Sequence, residues 1–139
     1  MGFLRKYRPT TKQELRKLIL NEDIELAQIN TSKITDMSHL FEPRLETGEQ
    51  ARFFYDGIET WDVSNVTNMS FMFSYCQNLQ TLSLSGWDMT KVTNMTNMFY
   101  NCGKLNTIYM RNCSQATIDK IKAQLETDGI LNNVTIITE

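Results

Sequence analysis

The 139-residue sequence predicts a short α/β solenoid of about two to three coils, closed by a helical cap at its N-terminus and a helix–strand cap at its C-terminus. Three observations predict it. The phrase "WDVSNVTNMSFMFSYC" at Trp61–Cys76 returns as "WDMTKVTNMTNMFYNC" at Trp87–Cys102, 26 residues later, with nine of 16 positions identical. Each copy is followed by an L-x-x-L-x-L spacing, first Leu79, Leu82 and Leu84, then Leu105, Ile108 and Met110. Both ends of the chain carry helix-start signals ahead of apolar residues at helical spacing. A unit this small cannot bury both of its faces alone, so copies stack and terminal segments must close the stack.

The elements follow in order, within one domain spanning 1–139. Residues 1–23 form the N-terminal cap, where "TTKQELRKLI" offers Thr11 and Glu14 as a capping box and Leu15, Leu18 and Ile19 as an apolar face. The repeat region, 24–112, begins with a decayed copy, "INTSKITDMSHLF", at Ile29–Phe41. Its Ile34, Thr35, Met37, Leu40 and Phe41 fall on Val66, Thr67, Met69, Met72 and Phe73. The step from this copy to the next is 32 residues, which places an insertion near 42–52, within "EPRLETGEQAR".

In each full copy the stripe Met69, Met72, Phe73, Cys76 falls at i, i+3, i+4 and i+7, the period of a helical or 3₁₀ segment. The L-x-x-L-x-L half has the spacing of a leucine-rich-repeat strand, with alternate side chains turned into a shared core. Residues 113–139 form the C-terminal cap. A helix starts at Ser114, presents Ile118, Ile121 and Leu125, and stops at Gly129. "NNVTIIT" then reads as a strand with Val134 and Ile136 on one side.

Composition bounds the function. A hydrophobic content of 41% supports a modest core, and a net charge of −2 gives no field for nucleic acid or an anionic membrane surface. No segment approaches the roughly 18–20 apolar residues of a membrane span. The start, "MGFLRKYRPT", has no apolar core of a signal peptide. As written the chain is expected in the cytoplasm, and at the cell surface if a leader was removed. Three cysteines, Cys76, Cys102 and Cys113, read as reduced thiols.

The stretch "WDVSNVTNMSFMFSYCQNLQTLSLSGWD" resembles the repeat of BspA-like leucine-rich-repeat surface proteins of bacteria, whose core reads W-D-x-S-x-V-T-x-M-x-x-M-F-x-x-C-x-x-L. The resemblance is strong over residues 58–110 and weaker over 24–41. The opening "KYRPTTKQELRKLI" is similar to the segment that precedes such repeats. The resemblance implies a leucine-rich-repeat solenoid with a binding role, often adhesion to host or neighbouring-cell proteins, and no catalytic residues.

The repeated polar positions have structural readings. Asp62 with Asp88, and Asn68 with Asn94, recur once per copy beside Ser and Thr, as turn-bonding residues do. Calcium sites need denser acidic runs. His39 is the only histidine, and no C-x-x-C occurs, so zinc and nucleophile–base sets lack members. No cofactor, metal or small-molecule substrate is expected.

What remains is a non-enzymatic protein–protein interaction module with a protein partner. A cell-internal inhibitor or decoy and a self-assembling solenoid are the alternatives. One candidate contact surface is the exposed sheet face, Thr81, Ser83, Thr107 and Tyr109. The other is the insertion and its exit, Arg44, Arg52, Phe54 and Tyr55, with Phe53. Here two readings stand: the phenylalanines belong to a recognition loop, or they begin a strand and pack inward.

Overall fold

Thr11 turns the chain into its first helix: its Oγ1 accepts the Glu14 amide at 3.1 Å, satisfying a donor that a helix start leaves free. The computed structural model describes residues 5–139, so residues 1–4 of the expected N-terminal cap lie outside the described part. Helix α1 spans Lys12–Ile19 and buries Leu15 and Ile19. Strands β1 (Thr81–Ser83) and β2 (Thr107–Tyr109) follow, then helix α2 (Gln115–Thr127) and strand β3 (Thr135–Ile137). Helix α2 is capped by Ser114, which accepts the Thr117 amide, and is followed by Gly129 at φ 80°.

The strands form one open parallel sheet in the order β1-β2-β3, in register Thr81↔Thr107↔Thr135 and Ser83↔Tyr109↔Ile137. Between the helices most of the chain is turn, cross-linked from copy to copy by backbone bonds. Met37, His39 and Phe41 donate to Asn68, Ser70 and Met72, while Met69, Phe71 and Phe73 donate to Asn94, Thr96 and Met98.

The same alignment stacks like side chains in the core. The rings of Phe41, Phe73 and Phe99 lie near-parallel, with centroids 5.3 and 5.9 Å apart in sequence. Each tryptophan is buried and donates its indole N–H to a carbonyl of the preceding layer, Trp61 to Leu26 and Trp87 to Ile58. Cys76 and Cys102 do the same with their thiols, to Phe41 and Phe73. Asp62, Asn68, Asp88 and Asn94 each accept the amide two residues on, closing the turns. The aligned positions His39, Phe71 and Asn97 share a left-handed backbone, φ 61°, 58° and 54°.

These elements correct the expected fold. Among the described residues the chain is a small mixed α/β domain of two α-helices and a three-stranded parallel sheet, not a leucine-rich-repeat solenoid. Only the two full copies contribute a strand, each three residues long. The third strand comes from outside the repeat, and the decayed copy at 29–41 supplies none. By the 26-residue period a strand preceding β1 would lie at 55–57, but there Gly57 has a left-handed φ of 94° and its amide and carbonyl are bonded by the Glu59 and Thr60 side chains, and the sheet ends at β1.

Candidate functional site: an exposed phenylalanine pair beside an acidic cleft

The four residues Arg52-Phe53-Phe54-Tyr55 alternate sharply between inside and outside. Arg52 and Tyr55 are buried, whereas Phe53 and Phe54 are 63% and 69% exposed. Leaving two large rings in water forgoes the stabilisation their burial would bring, about 1.5–3 kcal/mol each. The local backbone therefore has to be held from elsewhere.

Arg52 holds it. Its Nε donates to Phe54 O at 3.0 Å, Nη1 to Ile19 O and Asn21 O at 3.1 Å each, and Nη2 to Ile24 O at 2.8 Å. The carbonyls of Ile19, Asn21 and Ile24 belong to the end of α1 and the turn after it, where a helix terminus leaves acceptors without partners. Only a planar guanidinium fork reaches so many acceptors at once. Burial pushes the Arg52 guanidinium down from its ordinary value, and Glu22, 3.8 Å away, acts in the opposite direction.

Two further bonds complete the clamp. The Phe53 amide donates to Glu22 Oε1 at 2.7 Å, and Asn78 Nδ2 donates to Arg52 O at 2.8 Å. On the inner side Tyr55 packs against Phe41 and Phe73, with ring centroids 5.3 and 6.2 Å away. The phenylalanine pair is thus presented by a fixed backbone, which lowers the ordering cost of any contact it makes.

Phe54 borders a cleft of about 460 Å³ lined also by Glu22, Glu25, Arg52, Asp56, Gly57 and Glu59. Gly57 is required there: its φ is +94°, and a Cβ would meet Ala27 N at 2.8 Å. Glu59 accepts the Gly57 amide at 2.8 Å, and Glu25 caps the turn at Leu26–Gln28. Asp56 is exposed. Arg5 closes one side, its guanidinium donating to Ala27 O, Thr60 Oγ1 and Thr60 O.

The sequence-based candidates divide. Arg52 and Tyr55 are corrected to interior supports, because buried side chains cannot meet a partner. Arg44 is half-buried and anchors the insertion by donating to Leu20 O at 3.2 Å. Phe53 and Phe54 face solvent, so the inward-packing strand does not form. Thr81, Ser83, Thr107 and Tyr109 are brought together on one side of the sheet. Thr81 is exposed and the other three are half-buried, and the Arg111 guanidinium lies over the Tyr109 ring at 4.9 Å.

Sequence reasoning missed Leu45, which is 97% exposed at the tip of the insertion between two clefts. It also missed the carboxylates around Phe54. The run "NEDIE" at 21–25 was the available signal, but its spatial neighbours Asp56 and Glu59 lie more than thirty residues away. Among the described residues no group of three or more His, Cys, Asp or Glu could hold a metal ion, and no helix is long and apolar enough to cross a membrane.

Compared with known proteins, residues 12–128 match the model of a family described as "Mycoplasma protein of unknown function, DUF285". No curated protein and no solved structure gives a match.

Proposed function

Starting from a chain that belongs to the DUF285 family, we propose that it is a non-enzymatic protein–protein interaction module whose contact face centres on Phe53 and Phe54. The observation that carries this reading is the exposure of both rings on a backbone clamped by Arg52, Glu22 and Asn78. Rigid aromatic anchors beside a cleft are the kind of group that dominates binding energy at protein interfaces. The likeness of residues 58–110 to BspA-like repeats supports recognition as the role, and a cell-internal inhibitor or decoy would use the same face.

The test is affinity capture with three baits: the wild type, a Phe53→Ala/Phe54→Ala variant, and a Thr81→Ala/Thr107→Ala/Tyr109→Ala variant. A protein retained by the first and third baits but lost from the second supports the reading. A protein lost only from the third moves the contact face to the sheet.

Self-assembly is a second reading, favoured by the two open sheet edges, β1 and β3. Each edge is three residues long, and short edges resist pairing with another copy. Light scattering over a concentration series separates the two readings: a monomer throughout removes the second.

A further inference from the structure

We propose that the partner presents a cationic and apolar segment, with a Lys or Arg side chain entering the cleft beside Phe54 and an apolar neighbour resting on Phe53. This inference rests on the interaction face assigned above and specifies what that face takes.

The phenylalanine pair supplies the apolar contact, and the charge around it selects the occupant. Glu22, Glu25, Asp56 and Glu59 line the cleft with Phe54. One cation lines the cleft as well: the Arg52 guanidinium, buried on backbone carbonyls, lies 3.8 Å from Glu22 and offsets part of that charge, while Arg5 is bound to Ala27 and Thr60. With four carboxylates against Arg52, the cleft lining carries a formal charge of −3, more than the −2 of the whole chain.

A cation in this cleft meets the carboxylates that line it and has the Phe54 ring beside it, so charge attraction and apolar contact act together. An acidic partner is repelled from the same place, and so is the anionic surface of a bilayer. The cleft volume of about 460 Å³ accommodates a single long side chain with its stem along the ring.

The experiment uses the full chain and three short fluorescein-labelled peptides that alternate Leu with Lys, Leu with Gln, or Leu with Glu, read by fluorescence anisotropy. The Lys peptide is expected to bind at least about tenfold more tightly than the Gln peptide, and the Glu peptide not to bind. Raising the salt from about 50 mM to about 300 mM should weaken the Lys peptide several-fold, since the rim carboxylates are exposed. Phe54→Ala should weaken it about tenfold. Glu25→Gln with Asp56→Asn should weaken the Lys peptide by roughly threefold to tenfold and leave the Gln peptide unchanged. Tyr100→Ala, which removes an exposed aromatic outside the cleft, should change nothing.

Equal binding of the Lys and Gln peptides, both lost with Phe54→Ala, overturns the cationic partner and leaves the interaction face standing. Peptide binding indifferent to Phe53→Ala/Phe54→Ala overturns both. A dimer in sedimentation that Phe53→Ala/Phe54→Ala dissolves makes the occupant a second copy of the chain, and that also overturns the proposal.

Discussion

Replacing Arg52 by methionine keeps most of the apolar stem and removes the guanidinium. The side chain is 4% exposed and donates to Phe54 O, Ile19 O, Asn21 O and Ile24 O. A hydrogen bond from a charged donor contributes about 1.5–3 kcal/mol net, so four amount to roughly 6–12 kcal/mol before opposing terms. Burying the ion costs several kcal/mol, and the variant is spared that cost. The expected loss of stability is therefore about 3 kcal/mol, or about 10 °C in Tm for a domain of this size.

Urea unfolding followed by tryptophan fluorescence measures it, because Trp61 and Trp87 are both buried and report on the core. Arg52→Lys should recover little, since an ammonium group cannot span acceptors on both sides of the guanidinium plane. A loss under about 1 kcal/mol for the methionine variant, or a lysine variant as stable as the wild type, would refute the clamp.

Three other perturbations follow from the same core. Among the described residues the buried Tyr55 hydroxyl meets no oxygen or nitrogen partner, only the weakly bonding Cys76 thiol, so Tyr55→Phe should stabilise the protein by about 1 kcal/mol in urea titration; destabilisation would show that the Cys76 bond matters. Gly57→Ala should cost about 2–3 kcal/mol, from a left-handed backbone and the Cβ contact with Ala27 N, read as a drop in the urea midpoint at unchanged slope.

Burial raises the Cys102 thiol to about 12, and Cys76 is raised in the same direction by burial. Their contribution to stability is whole below the unfolded thiol value of about 8.5 and is lost as pH rises toward about 12. Each thiol can add a slope of up to about 1.4 kcal/mol per pH unit, so urea midpoints should fall steeply above about pH 9. Cys102→Ala should flatten that fall, whatever its own cost at neutral pH; an unchanged slope would sink the assignment.

How much of the site was legible in the sequence depends on the reach of each interaction. Thr11 and Ser114 cap their helices through bonds three residues long, and a sequence window contains both partners. The turn bonds of Asp62, Asn68, Asp88 and Asn94 span two residues and were equally visible. Arg52 and Phe54 were not. Arg52 sits inside because carbonyls 28 to 33 residues away need donors, and nothing near it in the chain signals them.

By itself the sequence determined the repeat, its period and the residues that stack in the core, since a fixed spacing forces like side chains into like positions. It also determined both helix starts. Only the tertiary structure decided that the sheet has three strands and ends at β1, because strand pairing depends on which backbone groups remain free, and at 55–57, the slot beside β1, Glu59 and Thr60 occupy the amide and carbonyl of a left-handed Gly57. The outward turn of Phe53 and Phe54, and the carboxylates that surround them, were settled by the same long-range bonds.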